Sequence, residues 1–229
     1  GAGTLALSGA NIYSSGTTIS EGILSVGADN NMGTGNLTFA GGDLTVTNNI
    51  DSAKSAALSS AGTVTVNPSY TMTLSGVVSG SGLLTKSGTG SLALSGTNTY
   101  SGGTTLGSGT LITTADSSTG TGDWTFSGGS VNINTGFSTS KAMALSTSGT
   151  IDTDASVTFT QTGVISGSGT LTSAGSGTLD LHGSNTYSGG TIFTGGTTLV
   201  SADNNLGTGG MTFNGGELQI DSGFATSKT

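Results

Sequence analysis

Apolar residues in this chain come in pairs two positions apart, flanked by small polar residues and bounded by glycine: Leu44/Val46, Val64/Val66, Met72/Leu74, Leu92/Leu94, Trp124/Phe126, Val131/Ile133, Val157/Phe159, Leu179/Leu181 and others like them. An i, i+2 pair puts both side chains on one face of a short extended segment. Ser-Gly, Gly-Gly, Gly-Thr-Gly and Asn-Asn pieces lie between the pairs, and glycine or asparagine there can take positive φ. No segment carries an i, i+3, i+4 stripe; the alanine-rich stretch Ser52 to Ser59 comes nearest to a helix and is short. The pattern predicts an all-β chain.

The pairs recur every 87 residues without insertion or deletion. Tyr13, Tyr100 and Tyr187 hold this register, as do Asp29, Asp116 and Asp203, and Phe39, Phe126 and Phe213. The units are 1–87, 88–174 and a partial 175–229. A fixed period of this kind marks an array in which each unit buries its apolar face against its neighbours. In the middle unit, pairs begin near Leu92, Leu111, Val131 and Ile151, about 20 residues apart, which predicts about four coils per unit. The expected architecture is a single parallel β-helix over 1–229, a rod about 50 Å long at about 4.8 Å per stacked strand. A β-propeller is the competing repeat, but blades of about 40 to 50 residues carry hairpin dipeptides and aromatics that these pairs lack. A pattern that starts and stops midway predicts a piece of a longer array, with open strand edges prone to end-to-end self-association.

Apolar residues amount to only 32% of the chain and glycine fills 43 of 229 positions, a composition near that of disordered segments. Charged residues are only 7%, so the chain is not a self-repelling coil, and the regular placing of the apolar residues favours order. Twelve acidic residues face four lysines and no arginine, and the resulting charge of −8 disfavours nucleic acid and anionic lipid as partners. With no cysteine and one histidine, disulfides, a cysteine nucleophile and a structural zinc site are excluded. No run reaches the roughly eighteen apolar residues of a membrane helix. The first thirty residues or so also lack the basic and apolar regions of a signal peptide. No cofactor is expected.

The string Gly88-x-Gly90-x-Leu92-x-Leu94-x-Gly96-x-Asn98-Thr99-Tyr100-Ser101-Gly102-Gly103-Thr104-Thr105, continuing to Gly109-Thr110-Leu111, resembles the autotransporter-associated β-strand repeat, or passenger-associated transport repeat. The first copy departs from it at Ile12 and Ser15, and the third ends Thr191-Ile192. With the Asp-Asn-Asn-x-Gly-Thr-Gly segment that follows, the likeness covers about half of each unit. It implies a right-handed parallel β-helix in the passenger of a Gram-negative type V secretion autotransporter, exported across the outer membrane to the cell surface. Its implied partner is an outer-membrane β-barrel translocator outside this chain, with a host surface or glycan as a further candidate. The long amphipathic strands and aromatic girdles of such a barrel are absent here.

Few residues offer chemistry. Asp152 and Asp154 alternate with Ile151 and Thr153, so they project together, and paired carboxylates can serve glycoside hydrolysis. The neighbouring copy has Thr65 and Asn67 there and no basic residue is near in sequence, which favours a solvated face. Asp29, Asp116 and Asp203 suit Asx-turns at a corner, with calcium as the alternative. Tyr13, Tyr100 and Tyr187 are expected to cover a corner, and Asn11, Asn98 and Asn185 to bond backbone at the bend. His182 replaces Ser8 and Ser95 and is expected exposed and inert; Trp124 replaces Leu37 and Met211 in the core. Lys54, Lys141 and Lys228, one unit apart, are expected as a sparse, solvated row. No catalytic, cofactor-binding or metal residue is assigned. The expected function is a non-enzymatic stalk or adhesin scaffold that assists export by progressive folding. A polysaccharide-acting enzyme is the alternative, and an ice- or surface-binding solenoid, suggested by Thr63/Thr65, Thr71/Thr73 and Thr158/Thr160, comes third.

Overall fold

The computed structural model describes residues 1–226 and 228. It divides into two compact units: Gly1–Ile112 with Ser117–Gly122, and Thr113–Asp116 with Asp123–Thr229. Each unit is a parallel β-solenoid with three sheet faces, and the described residues form no propeller blade.

In the first unit, one face stacks Thr4–Leu7, Ile23–Val26, Asp43–Val46, Gly62–Val66, Leu84–Ser87 and Thr104–Leu106 in that order. A second face stacks Ile50–Ser52, Thr71–Leu74 and Ser91–Leu94, and a third stacks Thr17–Ile19, Leu37–Phe39, Ala56–Leu58 and Val78–Gly80. Neighbouring strands are separated by 19 residues at Thr4↔Ile23 and by 22 at Leu84↔Gly62, which is the length of one coil. Parallel pairing follows because each strand must travel round the other two faces before meeting its neighbour. The second unit repeats the scheme with the faces headed by Trp124–Phe126, Ser130–Ile133 and Phe137–Thr139.

The predicted pairs point inward. Leu44, Val46, Val64, Val66, Val131 and Ile133 are fully buried, while the threonines between them, such as Thr45 and Thr65, face out. One pair is displaced: the strand is Thr158–Gln161, so its inward residues are Phe159 and Gln161, not Val157 and Phe159. The cause is a tight turn closed by Val157 N–H donating to Asp154 O at 3.0 Å, with Ser156 at φ 64°. Ser69 takes φ 68° at the equivalent place one unit earlier. The stretch Ser52 to Ser59 is not helical; it contains the end of Ile50–Ser52 and all of Ala56–Leu58.

The expected four coils per unit are present, and the 87-residue period adds one further face. Starting from Thr4–Leu7, four registers along one sheet lead to Leu84–Ser87, yet the strand equivalent to Thr4–Leu7 is Ser91–Leu94, on the second face. In the second unit, four registers lead from Ser130–Ile133 to Met211–Phe213, and the equivalent strand Glu217–Ile220 again lies on the next face. Within each unit, residues 87 apart therefore occupy different sides.

Small residues at the inward starts of two strands, Gly62–Val66 and Gly149–Thr153, are required by packing. A Cβ on Gly149 would stand 2.5 Å from Cγ of the fully buried Phe126, and one on Gly62 would stand 2.7 Å from Cγ of Phe39. These are the roots of the rings, which cannot swing away. Gly149→Ala is expected to destabilise by about 1–3 kcal/mol through overpacking, read from the shift of the urea midpoint at unchanged slope.

Candidate functional site: the repeated Asn-Tyr corner

Each copy places an asparagine and a tyrosine where the chain turns between faces without forming a strand. Asn98 is buried and joins three successive coils: its Oδ1 accepts from Val78 N–H at 2.7 Å, and its Nδ2 donates to Ser118 O at 2.5 Å. Asn185 makes the same two bonds, to Ile165 N–H at 2.7 Å and Asn205 O at 2.6 Å. Asn11 retains the second, to Asn31 O at 2.7 Å. The expectation that these asparagines bond backbone at the bend holds, and the bonds connect coils as well as closing the turn.

The tyrosines close the corner. Tyr100 and Tyr187 are fully buried and share hydroxyl bonds with Thr104 and Thr191, each at 2.7 Å; Tyr13 pairs likewise with Thr17 at 2.8 Å but is 40% exposed. Burial holds the Tyr100 hydroxyl well above its ordinary pKa and pushes that of Tyr187 up to about 12, against the smaller opposing effect of the threonine bonds. Over each ring lies a glycine in the left-handed region: Gly33 at φ 69°, Gly120 at 70° and Gly207 at 67°. A Cβ on Gly120 would sit 2.9 Å from the Tyr100 ring, so this position demands glycine for both φ and space.

The glycines end short 3₁₀ turns, Asp29–Met32, Asp116–Thr119 and Asp203–Leu206. In the first and third turns, the side-chain acceptor is an asparagine and not the aspartate. Asn31 Oδ1 accepts from Gly27 and Ala28 N–H at 3.0 and 2.8 Å, and Asn205 Oδ1 from Ser201 and Ala202 N–H at the same distances. The aspartates instead meet the lysines one coil further on. Lys54 Nζ is 2.5 Å from Asp29 Oδ2, Lys141 pairs with the Asp116 carboxylate, and Lys228 Nζ is 2.8 Å from Asp203 Oδ1. Lys141 and Lys228 also donate to the backbone carbonyls of Asp116 and Asp203, at 2.8 and 2.7 Å. Bonds from Lys228 and Thr226 hold the Asp203 carboxyl below its usual range.

This corrects the solvated row. The three lysine side chains are only 9%, 8% and 7% exposed, because the corner carboxylate and carbonyl draw them across the wall. Nor do Lys141 and Lys228 align, since the period carries each copy to the next face.

Lys86 was not singled out by the sequence. It occupies the inward position two residues after Leu84, in register with Val64 and Leu106, and is fully buried. Its ammonium donates to Ser87 O at 2.7 Å, Gly88 O at 2.8 Å and Ser108 O at 3.2 Å, with no carboxylate among its partners. Desolvation lowers its pKa to about 8. Below that pH the lysine is charged in both folded and unfolded chains, and the cost of burying the charge is fully present. As pH rises above 8 the folded chain releases the proton before the unfolded one, so stability increases. Lys86→Met removes the buried charge together with the donor to three carbonyls, and is expected to flatten the rise in stability between pH 8 and 9.5, measured by urea unfolding. The window stops there because Tyr100 and Tyr187, with raised pKa values, act in the opposite sense once free tyrosine ionises near pH 10.

Of the other candidates, the aspartates and the histidine stay on outer faces. Asp152 is half-buried and Asp154 exposed, and Asn132, in register with Asp152, donates to Asp154 Oδ1 at 2.8 Å. Desolvation and then the neighbouring Asp154 raise the Asp152 carboxyl, while the Asn132 bond lowers it. His182 is exposed, as expected, and lies 3.0 Å from Asp180. Trp124 is in the core, stacked on Phe159 at 6.2 Å.

A parallel solenoid whose conserved-spacing corners all serve stacking is a structural repeat array. The passenger-associated-transport-repeat family model matches residues 1–26, 84–113 and 171–200, and so bears out the resemblance carried by the Asn-x-Tyr strings. Each match covers the coil with the Asn-Tyr-Thr corner and ends before the 3₁₀ turn. No curated protein and no solved structure matches the chain. Repeat and fold together fit the scaffold of an autotransporter passenger.

Proposed function

We propose that this chain is a rigid stalk segment of an exported, surface-exposed passenger, and that its coil-by-coil folding outside the outer membrane assists export. The reading rests chiefly on Asn98 and Asn185, each of which bonds the coil before it and the coil after it. A coil already folded presents the acceptor and donor that order the next, so stability accrues by neighbour. Folding on the far side then opposes backsliding. Fused to an outer-membrane translocator, the double variant Asn98→Ala, Asn185→Ala is expected to reach the surface several-fold more slowly than the parent in a pulse-label assay. Equal rates, with the variant folding demonstrably impaired, would remove export assistance and leave a scaffold alone.

A polysaccharide-acting enzyme is favoured only by the raised carboxyl of Asp152 beside Asp154. Activity on an acidic-polysaccharide panel, lost on replacing both aspartates with asparagine, would establish that second reading.

A further inference from the structure

All four lysines lie within the wall, and the chain has no arginine. Lys86 is completely buried, and the side chains of Lys54, Lys141 and Lys228 expose less than a tenth of their surface. Their backbones are also engaged. Lys54 and Lys141 N–H donate to Ser52 Oγ and Thr139 Oγ1, Lys141 O accepts from Gln161 Nε2 at 2.8 Å, and Lys86 O accepts from Gly107 N–H at 2.9 Å. Most of the carboxylates remain outside: of twelve acidic residues, only Asp29, Asp116 and Asp203 are consumed by lysines.

Proteases of trypsin-like specificity take an extended lysine or arginine into a pocket with a carboxylate at its base. We infer that folding of this chain withdraws its whole set of such cleavage sites by drawing every lysine into the wall, so that these proteases remove unfolded chains and spare folded ones. The device is independent of the export reading, because it depends only on where the lysines go. It also accounts for the choice of cation at the corner: a surface ion pair with an outward lysine would neutralise the same aspartate but leave a cleavable residue.

The test is trypsin digestion of the wild-type chain in native buffer and in urea, with fragments assigned by mass spectrometry. A control variant, Thr135→Lys, puts a lysine in the exposed corner between Ser130–Ile133 and Phe137–Thr139. Its thermal unfolding is compared with wild type to verify that it folds. Native wild type is expected to be cut at Lys54, Lys86 and Lys141 at least about 10³-fold more slowly than the unfolded chain. The variant is expected to be cut rapidly after position 135 and nowhere else in native buffer. Rapid native cleavage at Lys54, Lys86 or Lys141 would overturn the inference. So would survival of the folded variant, because protection would then come from backbone rigidity regardless of where lysine sits.

Discussion

Trp124→Ala is expected to cost about 3–5 kcal/mol, the range for emptying a fully buried aromatic site. Trp124 is the largest side chain in the interior, lying nearly parallel to Phe159 at 6.2 Å and edge-on to Phe126 at 6.5 Å. Alanine would leave a cavity bounded by two rings whose strands are fixed by ladder bonds, so collapse is limited. Trp124→Leu should be far milder, about 1–2 kcal/mol, for two reasons. The equivalent positions are Leu37 and Met211, showing that a coil of this design closes over an aliphatic residue. The indole N–H is also buried without a partner, and leucine removes that cost. Circular dichroism must follow unfolding, because the fluorophore itself is replaced. A cost below 1 kcal/mol for alanine would mean that the tryptophan does not fill the core.

What was legible in the sequence follows from what strand alternation can encode. Pairs such as Val64/Val66 and Leu92/Leu94 state which face is inward, and the 87-residue recurrence states that coils stack. Polar residues inside the wall were not legible. Lys86 follows Leu84 at the inward spacing, but its acceptors are backbone carbonyls of Ser87, Gly88 and Ser108, which no side-chain pattern marks. Gln161 was hidden for a related reason: the turn at Ser156 shifts the strand by two residues.

The lysine–aspartate pairs have a regular spacing in the sequence, but the expected solvated row of lysines does not form. Asp29 and Lys54, Asp116 and Lys141, and Asp203 and Lys228 all keep a separation of 25 residues, one coil and part of a corner. Equal spacing of the lysines by one unit suggested a line along one side. That holds only if a unit makes a whole number of turns, and the extra face in each unit defeats it. The candidate site was thus readable at its Asn-Tyr core, where motif and structure coincide, and unreadable where three-fold geometry decides the outcome.

Asn98→Ala is expected to destabilise by about 2–6 kcal/mol, because it strands two buried backbone groups at once, each worth about 1–3 kcal/mol when left unpaired. The groups are Val78 N–H and Ser118 C=O, which belong to the coils on either side. Asn98→Asp separates the two halves of the interaction. A carboxylate still accepts from Val78 N–H but opposes its other oxygen to the Ser118 carbonyl, whereas the protonated acid can donate to that carbonyl as the amide did. The introduced carboxyl therefore has a folded-state pKa above the unfolded value of about 3.9. Protons are held by the folded chain at pH values where the unfolded chain has lost them, so the variant is most stable below about pH 4 and weakens as pH rises toward 7. The difference in unfolding free energy between variant and wild type, measured from pH 4 to 7, should widen with pH for Asn98→Asp and stay constant for Asn98→Ala. A flat difference for both would show that the amide does not donate to Ser118, and the link between successive coils would then rest on Val78 alone.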